Sequence, residues 1–239
     1  MKILTVIPAR SGSKGIKNKN IKLLNGKPLV TYGIETALSS SHNMRTIVST
    51  DSTEIAEIAE NSGAEIPFIR PKKLSGDNIS IIPVIRHAVK YFQDQDWNPD
   101  IVVSLQSTTP FTSVKSLDEG IDRLIYNKHI DSAVSVSEIS NPHPFRSYSL
   151  TKDQTIEPLT KYTNEKFLQR QDRPLAYSFT SGFYIRRTKL LHNWNGQDFC
   201  LGKEVAAIVT PEYESIDINS TDIIATNGKL HSKVLSYFK

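Results

Sequence analysis

Apolar residues in this chain come in two alternating patterns. Residues 3–8 form a short unbroken apolar run ahead of a polar, Gly-containing segment, the mark of a strand buried on both faces. Residues 28–38 space their apolar positions along one face of a helix, with Pro28 suited to its first turn. A strand over 46–49 follows. The next helix opens on the capping pattern Asp51-Ser52-Thr53-Glu54, carries Ile55, Ile58 and Ala59 on its apolar face, and ends at Gly63. Residues 65–69 read as a short third strand and 79–92 as a helix. Residues 100–105, strongly apolar and β-branched, read as a central strand. A helix over 113–126, with Leu117, Ile121, Leu124 and Ile125 on one side, leads to a strand at 133–136. This alternation predicts an α/β fold, a three-layer α/β/α sandwich with a mainly parallel sheet.

The rhythm breaks over residues 140–178, which are rich in Pro, Asn, Gln and Arg and poor in apolar periodicity. That stretch reads as an insertion, a lid or a dimerisation arm, within a single domain spanning 1–239. Strand patterns return at 179–185 and 205–209, with a further candidate at 215–218. A last helix is expected to start near Thr221.

Composition narrows the classes. With 38% hydrophobic and 23% charged residues, the chain is neither disordered nor fibrous. The N-terminal apolar run is too short for a signal peptide, and no run has the length of a membrane span. One cysteine, Cys200, cannot form an internal disulfide, which together with these features predicts a cytoplasmic protein. The net charge is +4 and the pI about 9.0. Much of the excess sits in one place: Arg10, Lys14, Lys17, Lys19, Lys22 and Lys27 follow one another with no acidic or aromatic residue among them. A basic loop without stacking aromatics points to a small phosphate ligand rather than to nucleic acid.

That loop follows the first strand, where open α/β sheets bind nucleotides. Gly12 and Gly15 let backbone N–H groups approach a ligand closely. Ser13 offers a hydroxyl, and Arg10, Lys14 and Lys19 offer cations for phosphate oxygens. In transfer at phosphorus the protein works mainly by positioning and charge stabilisation. Neither G-x-x-x-x-G-K-[ST] nor G-x-G-x-x-G occurs in the loop.

Ile7-Pro8-Ala9-Arg10-Ser11-Gly12-Ser13-Lys14-Gly15, followed by Lys19-Asn20-Ile21, resembles the signature of CMP-sialic acid synthetases and related cytidylyltransferases. That family usually has a second Gly where Ser11 stands. The resemblance implies a nucleotide-diphospho-sugar transferase fold. It places Ala9, Arg10, Gly12, Ser13, Lys14, Lys19 and Asn20 around CTP, with Lys14 and Lys19 on the phosphates that leave as pyrophosphate. Leu105-Gln106-Ser107-Thr108-Thr109-Pro110 is similar to a family segment at the end of the central strand, which puts Gln106 near the nucleotide or the sugar. Arg70-Pro71 and Leu74-Ser75-Gly76-Asp77 resemble another family stretch, making Arg70 and Gly76 candidates for closing over base and ribose; a turn followed by a helix cap explains them nearly as well.

Asp217 and Asn219 would share one face of a late strand, where two oxygen ligands can hold Mg²⁺. The family usually carries Asp-x-Asp here, so Asn219 offers a carbonyl oxygen but no charge, and Asp222 is a possible substitute. On the acceptor side, Gln169-Arg170-Gln171-Asp172-Arg173-Pro174 resembles a family motif. Arg170, beside Gln171, suits a sugar carboxylate. The first Arg of that motif is Gln169 here, and the Asn of the next family segment is lost near Ser181. Departures therefore cluster on the sugar side. His143, between prolines, reads as structural rather than as a base.

The resemblance implies a Mg²⁺-dependent, homodimeric cytidylyltransferase that moves CMP from CTP to an acidic 2-keto-3-deoxy sugar. Arg10, Lys14, Lys19 and Asp217 would carry the catalysis, with no nucleic acid or membrane partner. A nucleotidyltransferase for Kdo or a sugar phosphate, and a catalytically impaired nucleotide-binding homologue, stand as alternatives.

Overall fold

The computed structural model describes residues 1–12, 16–139, 143–160, 169–196, 198–218, 224–225 and 229–230. Strand β1 (Ile3–Pro8) is followed by a small antiparallel pair, β2 (Leu23–Leu24) and β3 (Lys27–Pro28). Helix α1 (Leu29–Leu38), β4 (Met44–Ser49), α2 (Thr53–Asn61), α3 (Ile81–Gln93), β5 (Ile101–Leu105), α4 (Val114–Tyr126) and β6 (Ser132–Glu138) come next. A hairpin of β7 (Tyr148–Leu150) and β8 (Ile156–Pro158) precedes the long strand β9 (Tyr177–Arg187). The single turn α5 (Lys189–His192), strand β10 (Val205–Val209) and a last pair, β11 (Ile224–Ala225) and β12 (Lys229–Leu230), complete the order.

Six strands make the central sheet in the order β10-β6-β9-β5-β1-β4. β1 pairs in parallel with β4 and β5, and β10 with β6. β9 runs antiparallel to both its neighbours, β5 and β6, so the sheet is mainly parallel around one reversed strand. Alternation along the strands divides the core between two faces. Ile3 and Ile7 of β1 and Val103 and Leu105 of β5 pack with Ile34 of α1, Ile55 of α2 and Ile121 of α4. Leu4, Val6, Ile47 and Val102 face the other way, toward Ile85, Val89 and Phe92 of α3 and Leu191 of α5. The result is three layers, helix on sheet on helix.

Local chemistry sets the helix starts. The Ser52 hydroxyl accepts from the Ile55 N–H to open α2, and the Ser113 hydroxyl accepts from the Ser116 N–H to open α4. Gly63, at φ +92°, takes the left-handed conformation just past α2. α3 begins two residues later than its apolar spacing suggests. Ile79 closes a turn onto Gly76, and Ser80 is extended ahead of the first helical residue.

Three expected elements differ. Residues 65–69 make only two isolated parallel bridges, Glu65 to Ile47 and Ile69 to Thr50. Pro67 between them lacks the N–H that a continuous ladder needs. Residues 215–218 form no strand: a 3₁₀ turn over Glu212–Ser215 leads into a stretch whose Ile218 N–H reaches the Thr108 carbonyl at 2.8 Å. Thr221 lies outside the described residues, and within the expected last helix β11 and β12 pair as antiparallel strands. In the insertion, residues 140–142 and 161–168 lie outside the described residues. The rest comprises the β7–β8 hairpin between 3₁₀ turns at Pro144–Arg146 and Arg170–Asp172.

Candidate active site

β1 is flanked by β4 on one side and β5 on the other, so chain connections leave it in opposite directions. Such a reversal opens a crevice beyond the carboxyl ends of the strands. A cleft of about 240 Å³ lies there. Pro8 at the end of β1 and Arg10, Gly12, Lys19 and Asn20 of the following loop line it, with Gln106, Ser107 and Thr108 from the loop after β5. The remaining wall is Arg70, Leu74, Gly76 and the start of α3, from Ile79 to Ile81 and Val84. The amino end of a 13-residue helix with no acidic residue in its first turn thus borders the cleft.

Side chains bolt these loops together. Asn20 is 5% exposed. Its amide donates to the Arg10 carbonyl at 2.8 Å, and its Oδ1 accepts the Ser107 hydroxyl at 2.6 Å. One residue therefore fixes the loop after β1 against the loop after β5. Asp51 holds the same loop from the β4 side, accepting the Ser11 N–H at 2.8 Å and the Ser11 hydroxyl at 3.1 Å. The hydroxyl that replaces the family's second glycine thus has its own anchor. Arg70 is buried: its Nη2 donates to the Ser49 carbonyl at 2.9 Å, and burial pushes its guanidinium below the usual arginine range. It stiffens the wall as well as lining it.

The charges converge. Arg10 Nη1 donates to Asp77 Oδ1 at 2.6 Å, an ion pair joining the β1 loop to the opposite lip. Burial holds Lys19 below the ordinary lysine range; nearby Asp217 pulls its pKa up and Arg10 pulls it further down. Lys19 therefore feels both Asp217 and Arg10 electrostatically. Asp217 Oδ1 is buried and has no hydrogen-bond partner. Asp217 itself does not line the cleft, but an orphaned buried carboxylate oxygen close enough to act on the cleft-lining Lys19 fits a hard cation. Among the described residues, no group of three His, Cys, Asp or Glu gathers to hold a metal. A cation on Asp217 would thus take its other ligands from phosphate and water, as Mg²⁺ commonly does.

Arg10, Gly12, Lys19, Asn20, Arg70, Gly76 and Gln106, all singled out in the sequence, line this one cleft. Ala9 is buried beneath it, its N–H on the Ser49 carbonyl at 2.9 Å. Ser13, Lys14, Asn219 and Asp222 lie outside the described residues. Arg170 and Gln171 are exposed on their 3₁₀ turn and do not line the cleft. His143 is buried, its Nδ1 accepting the Phe145 N–H at 3.2 Å and its Nε2 meeting the Pro174 carbonyl at 3.0 Å. Both ring nitrogens are occupied in structure. Sequence reasoning missed Asp51 and Ser107 as site residues. Ser107 sat inside a segment already marked by its place after the central strand, whereas Asp51 was read only as part of a helix cap.

A cation-lined crevice at the carboxyl ends of a doubly wound sheet defines a class, the α/β proteins that handle nucleotides. The cytidylyltransferase family model matches residues 4–204, and the chain belongs to this family of nucleotidyltransferases. The chain is 34% identical over 236 residues to the CMP-N,N'-diacetyllegionaminic acid synthase of Legionella pneumophila, covering 96% of each. It is 32% identical over 221 residues to the pseudaminic acid cytidylyltransferase of Campylobacter jejuni, covering 92% of each. A solved CMP:2-keto-3-deoxy-manno-octonic acid synthetase, described as complexed with CTP, shares the fold with a TM-score of 0.67 at 16% identity. The alignment covers 92% of this chain and 94% of that one.

Proposed function

We propose that the protein transfers CMP from CTP to a sialic acid-like nonulosonate, an acidic 2-keto-3-deoxy sugar, and releases pyrophosphate. The observation that carries this is the end-to-end match to two relatives, both named for such sugars. The anomeric hydroxyl of the sugar attacks the α-phosphorus. A new O–P bond forms, the bond to the β-phosphate bridging oxygen breaks, and the hydroxyl proton is lost to solvent. Arg10 and Lys19 set cations along the triphosphate, and Lys14 adds a third by resemblance to the family motif. Gln106 and the loop it opens orient the nucleotide and the acceptor. Arg170 and Gln171 would reach the sugar only through their placement in an assembly or on closure. Asp217, with Asn219 beside it in sequence, is the candidate holder of Mg²⁺, which supplies charge neutralisation on the phosphates and acidifies a bound hydroxyl.

A homodimer is part of this reading. Leu150, Ile156 and Leu159 of the hairpin region and Leu175 near β9 are all more than 60% exposed. Apolar side chains gathered on one inserted arm suit a subunit contact. Among the described residues no helix is long and apolar enough to cross a membrane, in keeping with a cytoplasmic enzyme. Pyrophosphate release is the test, measured with Mg²⁺, each of the four NTPs, and a panel of nonulosonates and Kdo. Release with CTP and one nonulosonate, lost in Asp217→Ala, is expected. Silence across the panel while CTP still raises the melting temperature would favour a binding-only homologue. No nucleotide effect at all would overturn the reading.

A further inference from the structure

Glu214 is a carboxylate at 3% exposure, ninety-eight residues from the hydroxyl it binds. Its Oε2 accepts the Ser113 N–H at 3.1 Å and its Oε1 accepts the Ser116 hydroxyl at 3.2 Å. The donors are the capping residue and a first-turn residue of α4, where the helix dipole favours an anion. Burying a charge is costly, and an apolar residue would fill the site more cheaply. The neighbourhood supplies a reason to keep it. Four residues on, the Ile218 N–H is fixed to the Thr108 carbonyl at 2.8 Å, and the Ile218 side chain is buried with Ile16, Leu24 and Leu29. Asp217 therefore sits between two pins, one on α4 and one on the loop after β5. Ser113 ends that same loop, so both pins hold the Asp217 segment to the loop that supplies Gln106, Ser107 and Thr108 to the cleft, or to the helix it leads into.

We propose that Glu214 is a positioning residue: its bonds to the amino end of α4 set where the Asp217 carboxylate stands relative to the cleft. Glu214 does not line the cleft itself and has no direct part in the chemistry. Its role depends on Asp217 holding the divalent cation, as proposed above.

Mn²⁺ binding followed by electron paramagnetic resonance tests this on the whole chain, with CTP present and no sugar, so that no turnover occurs. Glu214→Gln is expected to weaken Mn²⁺ binding by about tenfold, the size of effect typical of a group that orients a metal ligand. CTP binding without metal is expected to stay within about twofold, since no phosphate-facing side chain changes. Glu214→Asp, which keeps the charge, is expected to recover part of the loss. Ser116→Ala removes one of the two bonds, should act in the same direction more weakly, and serves if Glu214→Gln does not fold. Unchanged Mn²⁺ affinity in both variants, with only a lower melting temperature, would make Glu214 purely structural and overturn the proposal. Asp217→Ala is the control. If it too binds Mn²⁺ as the parent does, the assignment of Asp217 falls, and the role of Glu214 with it. If it alone loses the ion, only the role of Glu214 falls.

Discussion

Lys19 stands where burial and Asp217 act in opposite directions. Desolvation lowers its pKa, Asp217 raises it and Arg10 lowers it, with a net fall below the ordinary lysine value. The free enzyme therefore loses this cation at lower pH than an exposed lysine would. kcat/KM reports the free enzyme and is expected to fall on the alkaline side as Lys19 deprotonates. A bound triphosphate favours the charged form, so the matching limb of kcat should lie at higher pH. Lys19→Arg, which keeps its charge, should carry the alkaline limb of kcat/KM upward. A pH profile that does not move in this variant would assign the limb elsewhere. The Arg10–Asp77 pair is a different case, with side chains 29% and 44% exposed. Such pairs contribute at most about 1 kcal/mol. A triphosphate can displace Asp77 from Arg10 at small cost. Asp77→Asn is expected to shift stability by less than about 1 kcal/mol and to tighten CTP binding in a calorimetric titration. Tenfold weaker binding would instead show that Asp77 touches the nucleotide.

Elements were legible where one pattern settled them. β1, β5 and α4 follow from their apolar runs and apolar spacing, because local pattern and tertiary burial agree there. Residues 65–69 failed because periodicity says nothing about a missing N–H at Pro67. Residues 215–218 failed because Glu214 answers to a helix cap far away in sequence, not to a neighbouring strand. The site divides along the same line. Arg10, Gly12, Lys19 and Asn20 were readable as one loop, whereas the Asp51 clamp on Ser11 spans 40 residues. Gly120 tests how tightly α4 sits. A Cβ there would stand 2.6 Å from Ile185 Cδ1 and 3.0 Å from Phe183 Cε2. Helix propensity alone would make Gly120→Ala stabilising by about 1 kcal/mol. Overpacking of the sheet should win and destabilise the fold by about 1–3 kcal/mol, read from chemical denaturation. A stabilised variant would mean that α4 slides on β9 without cost.

At the scale of the molecule, the inserted arm and the sheet serve different ends. Leu150→Asp with Ile156→Asp places charges on the exposed apolar face of the hairpin without entering either core cluster. The pair is expected to convert the proposed dimer to a monomer by sedimentation while leaving the fold's circular dichroism unchanged. A dimer that survives both would move the subunit contact elsewhere.

Among the described residues, β9 alone links the β4-β1-β5 half of the sheet to the β6-β10 half. On the ribosome β5 emerges early, but the strand that covers its open side comes only after α4, β6 and the whole arm. At about 5–20 residues per second, that edge waits several seconds with its backbone unpaired. A nascent chain of this protein is thus most exposed to mispairing with its neighbours on a polysome while the arm is being made. Synonymous codons that slow synthesis of the arm should cost soluble yield, although they leave every contact of the finished enzyme untouched.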